Sequence, residues 1–256
     1  QHSMGMGHLV RSFRLAEELA EAFHVIFLNG GPVPAGINPP INITLINLPA
    51  LGMSEQDHLL FSHDTRYSVD EAKLIRQQTI LQMFNQYQPE VILIELFPFG
   101  RKKFADELIP LLSAAHQERS KPLVLCSLRD ILVQKRADQR RFENQVSQTL
   151  NCYFHAVLLH CDPSFATLDE YFNPDITLQI PVFNTGFVAP PAATGLNHCQ
   201  KPRIIVSAGG GIVGGELYRT AIQAQKLIWV EAELPMTLVA GPFLPEQEWQ
   251  QLVGAA

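Results

Sequence analysis

The chain has 256 residues, 46% hydrophobic and 17% charged, with a formal net charge of -6 at pH 7 and an isoelectric point of about 5.8. That composition belongs to a globular protein with a sizeable core, in one large domain or two smaller ones. An acidic balance removes any global electrostatic case for nucleic acid as a partner, and no apolar run approaches the roughly 18 residues that span a bilayer as a helix.

In chain order, the glycine turn Gly5-Met6-Gly7-His8 opens the first predicted helix, over 9–23. Strands are predicted over 24–28, 43–48, 90–95, 122–127 and 156–160, each short, rich in Val, Ile or Leu, and apolar on consecutive positions. Runs of that kind suit strands buried on both faces of a parallel sheet. Between them the spacing predicts helices over 68–87, with Ser68 and Glu71 as a capping box, over 101–116 and over 137–154. The Asp162-Pro163 turn is read as the start of another helix. A stretch with Pro190-Pro191, Gly195 and Pro202 breaks this rhythm and marks a linker over 189–202. Beyond it come a strand over 203–207, a helix over 216–230 and a strand over 236–240. The alternation predicts an α/β architecture with a parallel, doubly wound sheet. A complete first domain over 1–188 is expected, followed by a partial second one over 203–256, because a strand-helix-strand unit buries little surface by itself.

The four cysteines (Cys126, Cys152, Cys161, Cys199) are too scattered for a zinc knuckle or a CxxC pair. Cys126 and Cys161 lie in apolar runs and read as small buried hydrophobes. The first residues lack the basic region and apolar core of a secretory signal, so a reducing cytoplasm is the expected compartment. No pair of His or carboxylate residues has metal-ligand spacing on a helix, so no bound metal is expected.

Chemistry is expected where strands hand over to helices, because ligands of an open α/β sheet bind outside the carboxyl ends of its strands. His8 stands near the first turn of its helix, where the positive dipole end disfavours imidazolium. It is a candidate general base, with Arg11 one turn further on. Glu95 ends a strand and is followed by Phe97-Pro98-Phe99-Gly100-Arg101, so Arg101 is expected in a first helical turn beside a carboxylate. A ligand site and an internal salt bridge both account for that juxtaposition. Ser127-Leu128-Arg129-Asp130 occupies the same place after the next strand, with Asp130 as a second candidate base and Arg129 beside it. The richest signal is Ser207-Ala208-Gly209-Gly210-Gly211-Ile212-Val213-Gly214-Gly215, a strand that breaks into glycines and reopens as a helix. Its glycines and helix-start amides are the expected seat of a phosphate group. It lacks the Lys-Ser/Thr of a P-loop, and no acidic residue completes a dinucleotide fingerprint.

Taken in order, Gly5-Met6-Gly7-His8-Leu9-Val10-Arg11-Ser12, Phe97-Pro98-Phe99-Gly100-Arg101, Ser127-Leu128-Arg129-Asp130-Ile131-Leu132 and Ser207-Ala208-Gly209-Gly210-Gly211 resemble the predicted glycosyltransferases related to the MurG enzyme. The resemblance implies a GT-B fold, two Rossmann-like domains facing a cleft, here with the C-terminal one truncated. It implies transfer from a nucleotide-diphosphate-sugar donor, UDP-linked in expectation, to a sugar, lipid-linked or small-molecule hydroxyl acceptor. No further cofactor and no metal is implied, since helix dipoles and glycine-loop amides neutralise the leaving diphosphate. Gly5, Gly7 and His8 match the N-terminal glycine turn, and Gly209, Gly210 and Gly211 the donor-side loop; Ser207 and Gly214 flank the latter. Nucleotide-sugar hydrolysis or epimerisation, and a non-catalytic sugar-nucleotide-binding module, are the alternatives on the same fold. A lipid-linked acceptor would add weak peripheral membrane contact, for which Phe97, Phe99, Arg101, Lys102, Lys103 and Phe104 are the candidate patch. The plainer expectation for those six is a buried helix face with exposed lysines.

Overall fold

The computed structural model describes residues 7–34, 36–54, 57–129, 137–190, 202–211 and 214–255. Gly5 and Asp130, both expected at the site, lie outside the described residues. The architecture is α/β. Helix α1 (Gly7–Leu19) leads into the parallel pair β1 (Ile26–Asn29) and β2 (Thr44–Asn47). A hairpin, β3 (Leu51–Met53) with β4 (Leu60–Ser62), precedes α2 (Val69–Tyr87). Four parallel strands then form one sheet in chain order: β5 (Val91–Glu95), β6 (Leu123–Arg129), β7 (Ala156–His160) and β8 (Val182–Asn184). Helices α3 (Ala105–Gln117) and α4 (Gln139–Tyr153) supply the crossovers that parallel pairing requires. Most of the expected linker lies outside the described residues; further along the chain, the parallel pair β9 (Ile204–Ser207) and β10 (Met236–Val239) packs against α5 (Gly215–Ala232) and α6 (Glu246–Ala255).

Alternate residues of β5, β6 and β7 (Ile92 and Ile94; Val124, Cys126 and Leu128; Val157 and Leu159) lie in one core with Ile80 and Phe84 of α2, Leu111 and Leu112 of α3, and Val146 and Leu150 of α4. Leu48, just past β2, belongs to the same core, and Leu28 of β1 packs against it. Burial alternates along β5, and also along β9 and β10, whose Val206 and Leu238 pack against Tyr218 and Ile222 of α5 and Leu252 of α6.

Local chemistry sets the helix ends. Ser68 caps α2: its hydroxyl accepts from the Glu71 amide at 3.2 Å, while the Glu71 carboxylate accepts from the Ser68 amide at 2.8 Å. Inside α3, Pro110 has no N–H to give the Asp106 carbonyl. Gln77 of α2 fills that vacancy, its Nε2 donating to the Asp106 oxygen at 2.7 Å. The two helices are joined more firmly by a buried ion pair. Arg76 donates twice to Glu107 at 2.6 Å and uses its remaining nitrogen on the carbonyls of Gly30 and Pro49, each at 2.9 Å. One guanidinium thereby joins α2 and α3 to the ends of β1 and β2.

Two sequence expectations change, and a third is decided between its alternatives. The segment after Pro163 is not a helix; Asp162 folds it into an Asx turn, accepting from the Ser164 amide at 2.8 Å, and only a 3-10 turn over Leu168–Glu170 follows. Arg101 is not in a first helical turn but precedes a 3-10 turn (Lys102–Phe104), with φ of 59°. The rings of Phe97, Phe99 and Phe104 are all buried and the lysines beside them exposed, which is the plainer of the two expectations for that segment and leaves no aromatic surface patch there.

Arg76→Ala leaves the Glu107 carboxylate buried without its partner and should destabilise the fold by about 3–5 kcal/mol in urea unfolding. The double change Arg76→Met with Glu107→Leu should lose much less, since it removes both charges at once.

Candidate functional site

The carboxyl ends of β5, β6 and β7 carry Glu95, Ser127 and His160, and Thr185 directly follows β8. Register aligns them: Glu95 faces Ser127, and His160 faces Arg129 two residues beyond Ser127. Side chains at these ends are polar, while the strand interiors are apolar. Polar side chains thus line up along the strand ends where chemistry was expected.

At the β5 end the row is charged. His8 and Arg11, one turn apart on α1, both reach Glu95 Oε1, the His8 Nδ1 at 2.5 Å and the Arg11 Nη2 at 2.7 Å. Arg101 takes the other carboxylate oxygen with Nη2, and its Nε–H donates to the Glu95 carbonyl at 3.1 Å. This return of Arg101 onto Glu95 depends on the intervening turn. Leu96 and Arg101 hold φ of 66° and 59°, left-handed values that non-glycine residues adopt at a cost of order 1–3 kcal/mol each. The Gly100 amide closes the turn on the Leu96 carbonyl at 2.8 Å.

A carboxylate oxygen and an imidazole nitrogen 2.5 Å apart need a proton between them, so Nδ1 carries the hydrogen. Arg11 Nη2, 3.2 Å from the same nitrogen, therefore directs its hydrogen to the carboxylate instead. A neutral His8 held this way has its lone pair on Nε2, which makes no hydrogen bond among the described residues. Burial pushes the Glu95 pKa up, but the His8 hydrogen bond and the charges of Arg101, His8 and Arg11 outweigh it, and the group is held down at about 2. Glu95 is thus an anion at any physiological pH. It can orient an imidazole and stabilise the imidazolium formed when Nε2 takes a proton.

Next to this charged group lies a neutral relay, buried at Ser127 and His160 and exposed at Thr185. Ser127 Oγ is 2.8 Å from His160 Nε2, and His160 Nδ1 is 2.7 Å from Thr185 Oγ1. Burial first, and then the positive charge of Arg11, lower the His160 pKa to about 4, against the opposing pull of Glu95. Neutral imidazole donates at one nitrogen and accepts at the other, which suits a hydroxyl on each side. Beneath the row, burial and the Glu95 charge push the Cys126 thiol up, so it stays protonated and inert.

Of the expected site residues, His8, Arg11, Glu95 and Arg101 come together. Arg129 ends β6 exposed, and Gly7 is the exposed first residue of α1. Ser127, His160 and Thr185 were not among the expected site residues. The signal for the first two was available, since each stands at or near the end of a predicted strand parallel to the one that carries Glu95.

The glycine loop after β9 divides in two. Ser207, Gly209 and Gly210 are accessible, whereas Gly211, Gly214 and Gly215 are buried. Gly211 has φ of 91°, and a Cβ there would stand 3.0 Å from the Gly241 carbonyl oxygen, so close packing on the loop after β10 accounts for this glycine. Tyr218 of α5 fastens the arrangement: its hydroxyl accepts from the Ala208 amide at 3.0 Å and donates to the Val239 carbonyl at 2.8 Å. The amides of Gly209, Gly211 and Gly214 are already engaged, by Ser207 Oγ, the Ala208 carbonyl and the Gly211 carbonyl. That leaves the Gly210 amide and the first turn of α5, which has no side-chain cap, to meet an anion.

Among the described residues no group of three or more His, Cys, Asp or Glu is placed to hold a metal ion, and no helix is long and apolar enough to cross a membrane. A scan against protein-family models finds no match for the chain, and a search of curated proteins finds none either.

The two titrating groups separate by pH. His160 has a folded pKa of about 4 against an ordinary 6.5, so the unfolded chain takes up a proton first and stability falls as pH drops from 6.5 towards 4. Glu95, at about 2 against 4.5, contributes stability that is lost only as pH falls from 4.5 towards 2. Unfolding free energies measured across pH should therefore show one decline between pH 6.5 and 4 set by His160, and a further one below pH 4.5 that Glu95 shares with Asp64 and Asp175, which hydrogen bonds from Arg66 and Arg140 also hold down at about 2. His160→Gln should remove the upper decline and leave the lower one in place.

Proposed function

We propose that this protein is a glycosyltransferase of the GT-B type, moving a sugar from a nucleotide-diphosphate donor to a hydroxyl acceptor. The observation that carries the proposal is the His8–Glu95 pair at the carboxyl end of a parallel sheet, with Nε2 left open as a base. The resemblance of the ordered glycine, proline and arginine segments to MurG-related enzymes supports the choice of reaction.

In this reaction the acceptor O–H would lie against His8 Nε2. As the acceptor oxygen bonds to the anomeric carbon of the donor, the bond from that carbon to the diphosphate oxygen breaks and the proton passes to Nε2. Glu95 stabilises the imidazolium so formed, and Arg11 and Arg101 keep the carboxylate ionised and in place. Attack opposite the leaving group inverts the anomeric configuration. The departing diphosphate would be met by the Gly210 amide and the first turn of α5, which has no side-chain cap and whose dipole favours an anion. Ser207 and Gly209 border that turn and shape its approach.

His8→Ala should lower sugar transfer by about 10²–10⁴-fold, the usual contribution of a general base, while donor binding measured by calorimetry persists. Glu95→Gln should give a loss of similar direction, since an amide cannot favour the imidazolium. Assays with a panel of nucleotide sugars, followed by mass spectrometry, check both. Undiminished transfer by His8→Ala would remove the base. Rapid release of free sugar without acceptor would make the enzyme a hydrolase.

A further inference from the structure

Two aromatic rings stand exposed just beyond the polar row. Phe165 follows β7 in the turn begun by Asp162, and Phe187 lies two residues past Thr185. They are 60% and 55% exposed, yet their rings meet edge to face with centroids 5.7 Å apart. A contact of that geometry holds both rings in a fixed orientation, and leaving two phenyl groups together in water opposes the ordinary drive to bury them. Between Thr185 and Phe187, Gly186 has φ of 74°, and the space where a Cβ would stand has no heavy atom within 4 Å. Open room thus adjoins the backbone immediately before Phe187.

Polar residues adjoin the rings in the chain. Asn184, three residues before Phe187, is exposed, and its side chain makes no hydrogen bond among the described residues. Asp162, three residues before Phe165, is exposed and accepts from the Ser164 hydroxyl at 2.6 Å with one oxygen, while the other makes no hydrogen bond among the described residues. A long acyl chain would gain nothing from this rim, and a flat aromatic ligand would use the rings alone. A pyranose uses both: axial C–H groups make one face apolar, while equatorial hydroxyls around the edge seek carboxylate and amide partners. The rings also adjoin the row itself, because Thr185 holds His160, and His160 feels the charges of Arg11 and Glu95.

We propose that Phe165 and Phe187 form a carbohydrate subsite, stacking on the apolar face of an acceptor pyranose whose hydroxyls meet Asp162 and Asn184. The assignment of that sugar as acceptor rests on the transferase reading; the subsite itself does not. Saturation-transfer NMR on the protein, with methyl β-D-glucopyranoside, methyl β-D-galactopyranoside and methyl α-D-mannopyranoside as probes, tests it. At least one probe should bind, with saturation concentrated on ring protons of one face. Phe165→Ala and Phe187→Ala should each weaken that binding by about tenfold or more, Phe187→Trp should retain it, and circular dichroism should be unchanged in all three. If sugar binding depends on the rings but no donor supports transfer, the subsite stands and the transferase reading falls. The subsite is overturned if no probe binds, or if both alanine variants bind it undiminished. It is equally overturned if the rings serve instead to bind phosphatidylglycerol vesicles, or to hold a dimer that the alanine variants break up in sedimentation.

Discussion

A single carboxylate organises the polar end of the main sheet. Glu95 accepts from His8, Arg11 and Arg101, residues drawn from α1, from the same helix one turn on, and from the turn after β5. A buried carboxylate is costly unless it is paired and hydrogen-bonded, and here both oxygens are engaged, and the Glu95 carbonyl is held as well. The same contacts fix where α1 begins relative to the sheet, hold the left-handed turn at Leu96 and Arg101, and set the imidazole of His8. Structure and chemistry therefore depend on one group. Removing its charge would loosen the helix start and free the imidazole together.

The two halves of the row differ in kind. At β5 the groups are ionic and partly open; at β7 they form a neutral chain of hydroxyl, imidazole and hydroxyl that runs from buried Ser127 and His160 out to exposed Thr185. Arg11 and Glu95 are felt at His160 with opposite signs, so the charged cluster largely cancels itself there, and burial decides. A neutral His160 beside an ionised Glu95 keeps the sheet end polar without adding a second competing anion or cation. The glycine loop after β9 serves a comparable double purpose. Its buried glycines permit close packing on Gly241 and Glu248, while Gly209 and Gly210 remain on the surface.

Much of the α/β framework was legible because buried parallel strands and capped helices have strong local signatures. β7 runs over the residues its apolar run predicts, and α2 begins at its capping box. The hairpin at Leu51–Met53 and Leu60–Ser62 was missed because strands of three residues carry no readable period, and Val182–Asn184 is a strand through its pairing with β7 rather than its composition. At the site, Glu95 and Arg101 were read as neighbours with either a ligand or a salt bridge between them; the salt bridge is present. The link from His8 to Glu95, 87 positions apart, depends on how α1 packs, and no local pattern carries it. Likewise, the burial of Gly211 and Gly214 follows from their contacts, since a ligand loop and a packing loop share the same glycines.

The most direct test of the central claim, that Glu95 sets His8 as a base with an open Nε2, is nitrogen-15 NMR of the His8 ring in the wild type and in Glu95→Gln. The account predicts that neutral His8 in the wild type carries its hydrogen on Nδ1, with Nε2 showing the shift of an unprotonated nitrogen, and that Glu95→Gln erodes this preference. A neutral His8 protonated on Nε2, or a tautomer balance indifferent to Glu95→Gln, would contradict it.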